Sequence, residues 1–195
     1  EDPNNSCGYQ YGLTGIFVLY FGFASGLPPL WNTETGETRI GVFGLIDSQG
    51  FNNGRGLIPS PPDAWTRIHA GWTTPTTVKS TTQVNLPARS IQDSVIKVLI
   101  DDDEYFLIEN RNNWFREGVS VDFVQETIWN DTDTIPAHVE VLFDSAEVNL
   151  EINENGVVTS VLNYDLGLPG SGLLIWHIDE SVIQTVSDEY SINAD

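Results

Sequence analysis

Apolar and polar positions along this chain fall into two regimes. From Tyr11 to Ser25 the residues are almost all apolar, with no charge, and Gly26 follows where a helix would stop, so the pattern predicts a helix over Tyr11–Ser25. Its centre, Leu19–Phe23, reads by itself as the apolar face of a buried helix. Gly41–Pro62 is punctuated by Gly, Asn and Pro and predicts a long loop. Ser60-Pro61-Pro62-Asp63 then opens a second helix, Asp63–Ala70, with Pro near the first turn, Asp at the N-terminus and Gly71 after the end.

From Thr76 onward the period changes to that of strands. Val95–Ile100 and Tyr105–Ile108 flank Asp101-Asp102-Asp103-Glu104 as a hairpin. Val148, Leu150 and Ile152 alternate with polar residues, and Asn155-Gly156 turns them into Val157–Leu162. Val139–Phe143 and Leu173–Ile178 are further strands; the second is nearly all apolar and is expected at the centre of a sheet. The predicted fold class is α+β, a motif helix and one further short helix packed on a β-rich, mostly antiparallel second half. Residues 1–75 and 76–195 are its two parts, within one domain.

Charge changes this picture most. Residues 1–98 hold seven acids and six bases, a net of −1, whereas residues 99–195 hold 21 acids and only Arg111 and Arg116, a net of −19. Such a surface repels nucleic acid and anionic membrane, which are excluded as main partners, and attracts divalent cations or basic proteins. The longest apolar run, Ile16–Phe23, is too short to span a bilayer, so no membrane insertion is expected. Cys7 is the single cysteine, so no disulfide closes within this sequence.

Candidate chemistry centres on LTGIFVLYFGFASGLPPLWN, Leu13–Asn32. An apolar helix followed by Gly-Leu-Pro is the frame in which zinc peptidases carry H-E-x-x-H, two histidines one turn apart with a glutamate base between them. Here those positions are Leu19, Tyr20, Phe21, Gly22 and Phe23. Leu and Phe offer no lone pair to a metal, and a phenol with a pKa of about 10 is a poor base at neutral pH. Downstream lie GVFGLID (Gly41–Asp47), NNGRGLIPSPPDAWTRIHAGW (Asn52–Trp72), EYFLIENR (Glu104–Arg111) and LPGSGLLIWHIDE (Leu168–Glu180).

Together and in this order these segments resemble the secreted zinc metallopeptidases of the immune-inhibitor-A type, over the C-terminal part of their catalytic domain. The resemblance places the first histidine on Leu19, the base on Tyr20, the second histidine on Phe23 and a third, aspartate ligand on Pro29. The methionine that this family sets beneath the metal falls on Ile46. Gly26, Leu27, Pro28, Gly44, Leu45 and Asp47 are retained, and Gly26, Asp47 and His177 are the candidates for lining the old cleft. No catalytic residue is intact, and Tyr20 and Phe23 are expected to fill the former site. The family's upstream sheet has no counterpart here, which implies a missing upstream segment to which Cys7 would pair.

Beyond the motif, Asp101, Asp102 and Asp103 offer hard oxygens to calcium, although a solvated acidic turn is the plainer reading. Glu109-Asn110-Arg111 reads as a buried charge pair, His69 and His138 as ordinary residues, and Ser171 lacks a nucleophile frame. Asn4-Asn5-Ser6 and Asn130-Asp131-Thr132 are glycosylation sequons. The reading that follows is a secreted, extracellular pseudo-peptidase without a cofactor, acting through protein partners or self-assembly. A second reading starts from the absence of methionine in 195 residues. On it the motif is misread, and the chain is an active zinc endopeptidase. A third is a peptide-binding decoy that keeps the cleft without the cut.

Overall fold

A computed structural model of the chain describes residues 12–116, 118–133, 150–154, 158–161 and 163–185, together with Ile192. The first helix, α1, spans Thr14–Ala24. It ends as its sequence dictates. Leu27 N donates to Gly22 O and Gly26 N to Phe23 O, each at 3.0 Å, closing a Schellman motif with Gly26 at φ +88°. Its inner face is set by close approach: a Cβ on Gly15 would lie 1.8 Å from Phe51 O.

The expectation of a buried helix is corrected. Gly15, Leu19 and Gly22 face inward, whereas Phe17, Tyr20 and Phe21 are exposed, Phe21 to 74%. The helix is apolar on every side, so hydrophobicity could not tell which face the fold covers.

The loop after α1 carries two short 3-10 turns, Gly41–Phe43 and Asn53–Gly56, before helix α2 at Ala64–His69. Asp63 caps α2, its carboxylate accepting from Thr66 N at 3.0 Å and Thr66 Oγ1 at 2.6 Å. Strands β1 (Thr76–Val78), β2 (Ile96–Leu99), β3 (Glu104–Arg111) and β8 (Gly172–Asp179) form one sheet in the order β1-β2-β3-β8. Only β1 and β2 are parallel; β2 pairs β3 with Ile96 opposite Ile108, the hairpin anticipated around the acidic turn.

Strand β8 was expected to be central, but among the described residues it ends the sheet, with Leu173 and Ile175 exposed. Among the described residues there are two further small antiparallel pairs: β4 (Trp114–Arg116) with β5 (Val119–Ser120), and β6 (Leu150–Ile152) with β7 (Val158–Val161). The Asn155-Gly156 turn, Val139–Phe143, His138 and Cys7 lie outside the described residues.

The second half is also less purely β than expected. Helix α3 spans Val121–Thr132 and helix α4 spans Glu180–Thr185. Ser120 caps α3 by accepting from Phe123 N, and Asp133 ends it at φ +54°. Val121, Val124 and Ile128 pack with Ile58 and Leu166 at the helical spacing i, i+3, i+7. The fold is α+β. A larger core also joins the two halves: Leu19, Leu27, Leu30, Leu45 and Ile46 from the first pack with Val95, just before β2, and with Tyr105 and Leu107 of β3. Among the described residues no helix is long and apolar enough to cross a membrane.

Candidate functional site

Along α1 and the following turn, the motif positions come together as hydrocarbon. Leu19 is 5% exposed, Ile46 is fully buried, and Phe23 packs half-buried against the same cluster. Ile46 Cδ1 would sit 3.0 Å from a Cβ on Gly22, so this residue lies directly under the helix. Leu30 N donates to Ile46 O at 2.8 Å and ties the turn after Pro29, itself buried, to the same place. Phe23 meets the Trp31 ring at 5.7 Å.

Tyr20 lies outside this packing. It is 64% exposed and touches Phe23 only edge-on, at 6.4 Å, so Phe23 alone turns inward of the two residues expected to fill the site. The side chains of Leu19, Phe23 and Ile46 offer no lone pair to a cation.

The retained frame residues serve the backbone. Gly26 stops α1. Asp47 is fully buried and gathers the loop: Oδ1 accepts from Thr38 Oγ1 at 2.6 Å and Gln49 N at 3.0 Å, Oδ2 from Arg39 N at 2.9 Å and Ile40 N at 3.1 Å. Its lone pairs are spent on holding 38–49 in place.

A second buried centre is ionic. Residues Tyr105, Leu107, Glu109 and Arg111 share the inward face of β3, two apolar and two charged. Arg111 grips Asp165 with Nε at 3.0 Å and Nη2 at 2.8 Å, and reaches Glu109 Oε1 at 3.3 Å and Phe43 O at 3.1 Å through Nη1. Burial pulls the Arg111 guanidinium down, yet Glu109 and Asp165 outweigh it and leave its pKa raised. Glu109 also accepts from Trp176 Nε1 at 2.9 Å and Arg67 Nη2 at 3.0 Å, while Arg67 Nη1 donates to Pro62 O at 2.7 Å.

Arg67 Nε stands 3.1 Å from Asp93, at ion-pair distance without hydrogen-bond alignment. The web thus ties the loop, α2, β3, β8 and the 3-10 turn Tyr164–Gly167 together. The pairing of Glu109 with Arg111 anticipated from EYFLIENR is present. Arg67 and Asp165 escaped sequence reasoning, and the one signal was two charges on an otherwise apolar strand face.

Beside the web, between the loop and the end of β8, lies a cavity of about 250 Å³ whose lining includes Leu30, Ile40, Asp63, Trp65, Trp176 and His177. His177 projects from β8 to Glu104 Oε1 at 2.6 Å and rests on the Phe106 ring at 5.2 Å. Of the three cleft candidates it alone borders this cavity; Gly26 and Asp47 do not. Asp63 is 2% exposed, and burial, with Thr66 donating against it and Glu109 nearby, pushes its carboxyl up. His69 stacks on Trp65 at 4.7 Å, an ordinary packing role.

The acidic turn is a local structure: Asp101 Oδ1 accepts from Asp103 N at 2.9 Å and Glu104 N at 2.8 Å. Among the described residues no group of three or more His, Cys, Asp or Glu is arranged to hold a metal ion. No family model, no curated protein and no solved structure matches this chain.

Proposed function

We propose that this protein is a secreted, metallopeptidase-like domain that has lost its zinc site and now serves a binding or structural role in an extracellular assembly. The observation that carries the reading is the packing of Leu19, Phe23 and Ile46 into one apolar core at the positions where the resemblance puts two ligands and the underlying methionine. A metal there would need lone pairs that hydrocarbon lacks, and a general base that Tyr20 cannot supply near neutral pH. The acidic second half suits a protein that recruits basic partners.

The test joins chemistry and sequence. Purified protein is expected to hold no stoichiometric zinc and to leave casein intact with or without chelator. Tandem mass spectrometry of the tryptic peptide Glu1–Arg39, which spans Leu19, Tyr20, Phe23 and Pro29, is expected to read those four residues as they stand. Reading His, Glu, His and Asp there, with chelator-sensitive cleavage, identifies an active zinc endopeptidase and overturns the proposal.

A further inference from the structure

The buried carboxylates among the described residues are satisfied in three different ways. Glu109 and Asp165 are held by guanidinium groups, and Asp47 collects donors from five residues of its loop. Asp63, almost equally buried, receives hydrogen bonds from Thr66 and from its own backbone N–H, and makes no ion pair among the described residues. A carboxylate removed from water without a countercharge is costly. This one borders the cavity of about 250 Å³, whose other walls are mainly aliphatic and aromatic, with His177 and a second carboxylate, the hydrogen-bonded and more exposed Asp179, at the end of β8.

We propose that the cavity receives a lysine or arginine side chain of a protein partner, its methylene stem against Leu30, Trp65 and Trp176 and its cationic head paired with Asp63. Size and polarity agree: the space accommodates four methylenes and an ammonium, and a cation entering it gains a low-dielectric partner. Burial drives the Asp63 carboxyl toward its neutral form, and a bound cation reverses that cost. The same wall is built by β8 and α4, from the half of the chain that carries 21 acids, so the surrounding field draws basic partners toward the opening. This inference deepens the binding role proposed above and rests on it, yet the two fail separately. Zinc-dependent proteolysis overturns that role without any titration, whereas a failed titration on zinc-free, inactive protein overturns the pocket alone.

The experiment is calorimetric titration of the whole chain with acetyl-Gly-Lys-Gly-amide and with its norleucine counterpart, which keeps the stem and removes the charge. The lysine peptide is expected to bind about tenfold more tightly or better. Asp63→Asn retains a good helix cap and removes the charge, so it is expected to abolish the preference while the protein stays folded. Ile183→Trp, which fills the cavity with Asp63 intact, is expected to abolish binding of the lysine peptide and keeps the test open if the first variant fails to fold. Equal binding of the two peptides, no binding at millimolar concentration, or a preference that survives both variants overturns the proposal. Free n-butylamine binding as tightly as the peptide overturns a protein side chain as the source.

Discussion

Beneath α1, Leu19, Leu27, Leu30 and Ile46 pack together as pure hydrocarbon, while along β3 the equally buried Glu109 and Arg111 join Arg67 and Asp165 in a web of charge. The first region is tolerant by nature, because apolar contacts are non-directional and a missing methyl costs in proportion to the void it leaves. The second is close to all-or-none, because each charge is affordable only while its partner stays. Neither leaves a group free for reaction: one has no lone pairs, and the other has committed the carboxylates of Glu109 and Asp165 to guanidinium groups. Among the described residues Asp63 is the buried acid that accepts hydrogen bonds from the fewest other residues.

The contrast is broken most severely by Arg111→Met, which leaves Asp165 and Glu109 short of their countercharge in the interior. The expected loss is about 3–5 kcal/mol, read as a fall in the urea midpoint. Adding Asp165→Leu to that variant is expected to restore part of the loss, since removing both ends of a buried pair costs less than removing one. A double variant no better than the single one would show that the web does not act as a unit.

In the apolar region, Leu19→Ala is expected to cost about 2–4 kcal/mol by the same measurement, a cavity effect with no electrostatic part. The loss should therefore be insensitive to pH and salt. A loss that grew with salt would refute the assignment of this centre to hydrocarbon packing.

The smallest effect sharpens the comparison at Asp63. Its carboxyl titrates above the ordinary carboxylate value in the folded protein, so the folded state holds the proton more tightly than the unfolded chain. The stability it contributes is complete below the unfolded pKa and is lost as pH rises through the folded value. Asp63→Asn does not titrate there, so its stability relative to the parent is expected to rise with pH across the acid range and then level off. Urea midpoints measured from strongly acid to neutral pH decide it, and a difference independent of pH would show that the carboxyl is not desolvated.

Local chemistry made much of the fold legible. The stop at Gly26, the cap at Asp63 and the β2–β3 hairpin each depend on residues within a few positions, and each lies where the pattern placed it, give or take a residue or two. Helix α3 is legible too, in the spacing of Val121, Val124 and Ile128, although no element is anticipated over that stretch from the sequence. The place of β8 was less accessible: GLLIWHID is apolar enough for a central strand, and only the sheet order puts it at the end.

The sequence by itself determined that Leu19, Phe23 and Pro29 offer no side-chain zinc ligand and that Tyr20 is a poor base near neutral pH, because these are properties of side chains and need no coordinates. It also set the helix stops and the hairpin, which arise from contacts between near neighbours. Tertiary structure alone decided which side of α1 is covered, which charges meet and which buried acids, Asp47 and Asp63, lack a cation among the described residues. Arg67 finds Glu109 across 42 positions and Arg111 finds Asp165 across 54. Such pairs follow from how the elements pack in space, and Coulomb attraction leaves no period in the chain by which to foresee them.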